Sequence, residues 1–128
     1  MLETEIALGM LDKALAAIGL AREARLRRDQ QFQEALFALY TALNETKRYI
    51  AERRDGKKRD RKSEFALADL WARTAVHLRH IDPRLAHICH MKGGFWTEPE
   101  LWDANRIRRS GIQIDRVFRK ARRLLLKR

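Results

Sequence analysis

The chain has 128 residues, of which 28 are lysine or arginine and 17 are aspartate or glutamate, so its formal net charge at pH 7 is +11. Apolar residues make up 45% and charged residues 35%, a balance that is typical of globular domains and excludes a largely disordered chain. One cysteine excludes an intramolecular disulfide, and the scarcity of proline and glycine disfavours a turn-rich β-sandwich.

The amino-terminal sequence also bears on location. Its first ten residues, MLETEIALGM, hold two glutamates and no basic residue, whereas a secretory signal begins with positive charge. No apolar run approaches the ~18 residues that a membrane-spanning helix needs. We therefore expect a cytoplasmic protein without integral membrane association, and the single cysteine suits a reducing compartment.

Two helices are predicted in the first half of the chain. The apolar residues of the first recur at steps of three and four, which places them on one face: Leu8, Leu11, Leu15 and Ile18. Similar spacing relates the apolar residues of the second: Phe32, Leu36, Leu39, Leu43 and Ile50. Asp29 is a candidate N-cap between them, with one continuous helix as the alternative. Asp55 and Gly56 predict the turn that ends the second helix.

Two further helices are predicted in the middle of the chain. The third begins between Asp60 and Ser63, either of which can cap it, and two apolar stripes indicate that it contacts more than one neighbour. Asp82 and Pro83 read as an N-cap and a first-turn proline. They open a short helix to about Met91, which the sequence Lys-Gly-Gly at 92–94 is expected to end.

The last helix carries a strong local start signal. Thr97 and Glu100 form a T-x-x-E capping box, and Trp96 and Leu101 occupy the positions of a hydrophobic staple. The helix is expected to run from there to the carboxyl end, with a break near Gly111. Helices joined by short connections predict an all-α fold, an antiparallel four- or five-helix bundle that forms one domain over residues 1–128.

Basic residues are concentrated in two segments. Residues 104–128 contain ten lysines or arginines and only Asp115 as an acid, and part of them recurs at helical spacing to form a basic face: Arg116, Arg119, Lys120, Arg123 and Lys127. The second segment is the predicted turn at 53–62, which includes Arg53, Arg54, Lys57, Lys58 and Arg59. Such fields attract polyanions, and guanidinium groups suit bidentate phosphate contacts. The alternatives are a solvated surface or a patch that faces an acidic protein.

All four histidines lie in one window of 14 residues: His77, His80, His87 and His90. Each pair has i, i+3 spacing, and the turn at residues 82–83 could bring the pairs together beside Cys89. Imidazole and thiolate ligands suit Zn²⁺, but these spacings match no strong zinc motif. A structural role at helix ends is the simplest explanation, so we expect no metal and no cofactor.

Two short segments resemble the HEPN family, small all-helical ribonucleases that are marked by an arginine followed four to six residues later by a histidine. Arg84 precedes His90 with five residues between them, and Arg73 precedes His80 with six. The resemblance implies metal-independent RNA cleavage, in which a histidine moves the 2′-hydroxyl proton and an arginine stabilises charge on the phosphorane. Leu85 departs from the family pattern, which usually has a polar residue directly after the arginine.

From these features we expect a binding protein rather than an enzyme. The leading hypothesis is contact with the phosphate backbone of RNA or DNA through the last helix and the 53–62 turn. An acidic protein partner, or a second copy of the chain in a self-associating bundle, is the alternative from another class. The ribonuclease is the third hypothesis.

Overall fold

A computed structural model describes the backbone of residues 2–127 and the side chains of residues 5–127. Every regular element in it is helical: α1 spans Leu2–Arg54, α2 Arg61–Leu78, α3 Pro83–Thr97, α4 Ala104–Ser110 and α5 Ile114–Leu126, with a 3₁₀ helix at Pro99–Leu101. The all-α prediction is therefore confirmed. None of these helices combines the length and the apolar character that crossing a membrane requires.

Most of the predicted helix starts and stops are confirmed. Asp60 caps α2 by accepting a hydrogen bond from the Lys62 amide, and Asp82 caps α3 in the same way from the Leu85 amide. Gly56 and Gly111 have φ angles of 100° and 74°, in the left-handed region that favours glycine, so both stop helices as expected.

Three predicted features of the helices differ from the structure. Asp29 caps nothing, because α1 continues through it from Leu2 to Arg54. Gly93 and Gly94 do not end α3 but lie inside it. The capping box is wrong: Thr97 is the last residue of α3, and its hydroxyl donates to the Gly93 carbonyl oxygen at 2.9 Å. The helix expected from Thr97 is instead the 3₁₀ helix followed by α4, which Asp103 caps.

The chain divides between Gln31 and Phe32 into two compact units. In the first, the predicted apolar stripe of α1 is present but is not buried against any described residue. Its large apolar side chains and their neighbours are between 52% and 66% exposed: Ile6, Leu8, Met10, Leu11, Leu15, Ile18, Leu20 and Leu26. The periodicity predicted the helix correctly, and the apolar side chains of this stripe lie exposed.

The second unit contains the core. Its largest fully buried side chains come from α1, α2, α3 and α5 and from the residue pair before α5: Leu39, Leu43, Trp71, Leu78, Leu85, Ile112 and Val117. Polar contacts fix the α1–α2 packing, because the Trp71 indole donates to the Thr46 hydroxyl at 2.9 Å, while that hydroxyl donates to the Ala42 carbonyl oxygen at 2.7 Å. The pair is fully buried and fully satisfied, so it specifies how α2 sits on α1.

Close packing against α2 explains why residue 93 is a glycine, although alanine would favour the helix more. A Cβ atom at this position would lie 3.2 Å from the Ala68 carbonyl oxygen and 3.6 Å from the Ala72 amide nitrogen. The missing side chain lets the backbones of α2 and α3 approach closely. One side of α3 therefore packs closely on α2.

Candidate functional site

A groove with basic walls runs along the outer face of α3. One part of it, a cavity of about 530 Å³, is lined by residues that include His90, Trp102 and Arg106. The adjoining part, about 610 Å³, is lined by residues that include Arg84, His87 and Lys120. Met91, Arg109 and Ser110 line both parts, so the two parts adjoin. We call the two together the basic groove.

The charges that line the basic groove have one sign. Its wall holds four cationic side chains and two histidines, and no aspartate or glutamate: Arg84, His87, His90, Arg106, Arg109 and Lys120. Among the described residues, no carboxylate lies within ion-pairing distance of any of the four cations. The groove can therefore receive an anionic ligand without breaking an existing ion pair.

Helix α3 presents its wall of the groove through simple periodicity. Leu85, Ala86 and Cys89 are buried on the core side of the helix. Arg84 and His87, three residues apart, project from the other side, and both are exposed. The first-turn proline and the Asp82 cap fix where the helix starts, and hence which residues face outward.

Helix α4 supplies the second wall. The Arg106 guanidinium lies over the Trp102 ring, 3.9 Å from its centroid, and donates a hydrogen bond to the Leu101 carbonyl oxygen. Trp102 is half-buried, with its ring against Phe95 at a centroid distance of 6.1 Å. A guanidinium over an aromatic ring is restrained in position and retains N–H donors for a phosphate or a base edge.

The predicted basic face of α5 is present, but its residues reach two different places. Val117, Ala121 and Leu124 are buried, as the pattern predicted. Of the predicted basic residues, Lys120 lines the basic groove, while Arg116 and Arg119 line a separate cavity described below. Arg123 and Lys127 are exposed, and none of the five makes an ion pair with a described carboxylate.

Some of the basic residues at 53–62 already make hydrogen bonds and ion pairs within the protein. Arg53 donates to the Lys57 carbonyl oxygen, and the Lys57 ammonium lies 3.6 Å from a Glu52 carboxylate oxygen. Arg59 is held at 3.0 Å by Glu64 and at 2.6 Å by Glu100. Arg54 and Lys58 are exposed and make no ion pair with a described carboxylate. Of the predicted phosphate contacts in this turn, Arg59 and Lys57 are thus already ion-paired, and Arg59 has two carboxylate partners.

Glu64 is the reason that Arg59 is unavailable. This carboxylate is 3% exposed, and it accepts hydrogen bonds from the Tyr49 hydroxyl at 2.5 Å and from Arg59 and Arg61. Burial disfavours its charged form, but the hydrogen bonds from Tyr49, Arg61 and Arg59 together outweigh burial and hold the pKa of Glu64 below 4.5. Burial, followed by the hydrogen bond to Glu64, raises the pKa of Tyr49.

The structure does not bring the four histidines together. His87 and His90 neighbour each other on α3 with ring centroids 6.4 Å apart, whereas His77 lines a different cleft together with Arg73. His80 lies in the turn after α2. Cys89 is buried, which raises the pKa of its thiol to about 12 and disfavours the thiolate. Within residues 5–127, no group of three or more histidines, cysteines and carboxylates has a geometry that could hold a metal ion.

A second feature, which sequence reasoning missed, is a buried lysine. Lys92 is 5% exposed, and its ammonium donates to the Ile112 carbonyl oxygen at 2.9 Å. Burial lowers its pKa to about 8.

Lys92 also lines a cavity of about 580 Å³ together with Trp96, Arg116 and Arg119. Trp96 is also buried, and its indole nitrogen has no hydrogen-bond partner among the described residues. The Lys-Gly-Gly sequence predicted the end of a helix, so the burial of Lys92 inside α3 was not predicted.

Comparison with models of known protein families finds no match for this chain. Comparisons with curated proteins and with solved structures likewise find no match. The resemblance to HEPN proteins therefore rests on the two arginine–histidine segments alone.

Proposed function

We propose that this protein binds nucleic acid through the phosphate backbone, with the basic groove and the outward residues of α5 as the contact surface. The observation that carries the proposal is the groove itself, in which four unpaired cations and two histidines face one continuous depression. Phosphate contacts of this kind release condensed counterions and carry little sequence information.

The frame that we propose for this surface is an antiparallel helical bundle over residues 32–126. Its support is the order of the contacts between α1 and α2. Moving back along α1, Tyr49, Thr46 and Ala38 contact residues that lie progressively later in α2, namely Glu64, Trp71 and Thr74. Such reversed pairing is the mark of antiparallel neighbours with a short connection.

The proposal is tested by fluorescence anisotropy with a short labelled DNA duplex and with single-stranded RNA, over about 50 to 200 mM salt. The logarithm of duplex affinity should fall linearly with the logarithm of salt concentration, and the four groove cations should contribute about −4 to that slope if each displaces one counterion. Replacing Arg109 and Lys120 with glutamine should reduce that slope by about 2 units and weaken binding to all sequences similarly.

A matched control separates the groove from the net charge. Arg73 and Arg79 are exposed residues on and directly after α2, and replacing both with glutamine removes the same charge. We expect this control to bind nearly as well as the wild type. Equal losses in the two double variants, or binding that does not respond to salt, would overturn the groove as the contact surface. An absence of nucleic-acid binding would favour an acidic protein partner instead.

The groove also keeps the ribonuclease as a second candidate function, because Arg84 and His90 both lie along it. That function requires cleavage of RNA in the presence of a chelator, and loss of the cleavage in Arg84→Ala and His90→Ala. Arg79→Ala, in the turn after α2 and outside both arginine–histidine pairs, is the matched control. Wild-type protein that binds RNA and leaves it intact would exclude cleavage while supporting the binding function.

A further inference from the structure

The first unit of the chain is a helix without a core of its own. Within residues 5–31, eight large apolar side chains are more than half exposed, and they include all four of the predicted stripe. Alanine and glycine occupy most of the intervening positions. Helices in proteins owe most of their stability to packing of an apolar face, so a helix of this composition with its apolar face exposed needs a partner.

The spacing of the stripe suits a partner helix. Leu8, Leu11, Leu15 and Ile18 follow steps of three, four and three, which is the a and d spacing of a heptad repeat. Arg22 and Arg25 continue the same positions at the next two steps. Their aliphatic stems can cover apolar neighbours while the charged ends reach the edge of the stripe.

The charges along the segment identify which partner fits. Glu5 and Asp12 flank the stripe near its start, where no basic residue precedes Lys13. Arginines dominate its other end, at positions 22, 25, 27 and 28. A second copy of the segment in parallel would place acids beside acids and arginines beside arginines. An antiparallel copy instead places the arginines of each chain beside the acids of the other, as a two-fold interface requires.

We infer that residues 5–28 pair in an antiparallel manner with the same segment of a second copy of this chain. The segment is about 36 Å long at 1.5 Å per residue, or more than three heptads, which is enough for a coiled-coil seam. Each chain then contributes an identical face, and the two-fold axis passes near the middle of the segment, close to Ala16.

Light scattering of the full-length protein tests the association. We expect a dimer for the wild type and a monomer when Leu11, Leu15 and Ile18 are all replaced with glutamine. The matched control replaces three exposed apolar residues of the second unit, Phe37, Val76 and Leu101, and should remain dimeric. All three tryptophans lie in the second unit, so their unfolding transition shows whether that unit stays folded in each variant.

Spin labels test the orientation without touching the stripe. Lys13 and Arg27 are 14 residues apart, two heptads, so labels placed at each through cysteine occupy the same outer face of the helix. Cys89 is buried and can be replaced with alanine as a check on labelling. In the antiparallel pair, the distance between labels at 27 should exceed that at 13 by at least about 15 Å, since each residue along the axis adds 1.5 Å per chain.

The outcomes are distinct. Equal label distances at the two positions would mean parallel pairing and overturn the orientation. A wild-type monomer would overturn the association, and if that monomer binds anionic lipid vesicles, the stripe faces a membrane surface instead. Because the groove variants leave residues 5–28 unchanged, nucleic-acid binding and self-association succeed or fail separately.

Discussion

Replacing Lys92 with methionine should change how the stability of the protein depends on pH. Methionine keeps an unbranched chain of similar length in the core but carries no charge. The ordinary lysine pKa of 10.5 applies to the unfolded chain, whereas burial lowers the pKa of Lys92 to about 8 in the folded protein. The folded state therefore releases the Lys92 proton at a lower pH than the unfolded state does.

The sign and the size of the effect follow from linkage. Between the two pKa values the unfolded chain binds more protons, so stability rises with pH in this range. Below pH 8 the folded protein bears the full cost of a buried charge, about 3 kcal/mol for a difference of 2.5 pKa units. Between pH 6.5 and pH 9, about 1.4 kcal/mol of that cost should disappear in the wild type and not in the variant.

Urea unfolding followed by tryptophan fluorescence measures the difference at each pH. With a slope of about 2 kcal/mol per molar urea, the wild-type midpoint should gain about 0.7 M relative to Lys92→Met between pH 6.5 and pH 9. Other titrating groups occur in both proteins and cancel in this comparison. A difference in unfolding free energy that stays constant over the range would refute the buried, destabilised ammonium.

The remaining predictions concern the two glycines of α3 and the buried carboxylate of Glu64. Gly94→Ala should raise the unfolding free energy by about 0.5–1 kcal/mol, since a Cβ there meets only Trp102 at 4.0 Å. Gly93→Leu should lower it by about 1–3 kcal/mol, because the side chain would have to displace the α2 backbone, and two urea titrations compare the pair. Glu64→Gln should cost about 2–3 kcal/mol at pH 7 through weakened charged hydrogen bonds. The low pKa of Glu64 stabilises the wild type above pH 4.5, and this advantage is lost as pH falls through the folded-state pKa. Thermal unfolding from pH 7 to pH 3 should therefore show a smaller loss in the variant.

The sequence was sufficient to predict the starts and ends of helices where the deciding interactions are local. Asp60, Asp82 and Gly111 act within a single turn of backbone, so their roles follow from residue type and neighbours. The capping box failed because its competitor is not local. Glu100 is engaged by Arg59, which lies 41 residues earlier in the chain, and the burial of Trp96 against Tyr49 keeps residue 96 inside α3.

The candidate site was predictable only in part, for the same reason. Charge counting identified α5 as basic, and Lys120 does line the groove. It could not show that Arg84 and His87 of α3 share that groove with Arg109 of α4, because three separate helices must pack before the groove exists. Nor could it show that Arg59 is neutralised, since that depends on Glu64 being buried at its side.

The connection between α1 and α2 has the composition of a segment that would accept an inserted peptide: it is short, exposed and rich in lysine and arginine. The Arg59 contacts to Glu64 and Glu100 make its two halves unequal, however. A tag or fluorophore attached at the exposed Asp55 would leave the Arg59 contacts intact, whereas one attached beside Arg59 would disrupt its ion pair with the buried Glu64. Engineering of this loop for labelling or immobilisation should therefore begin on its α1 side.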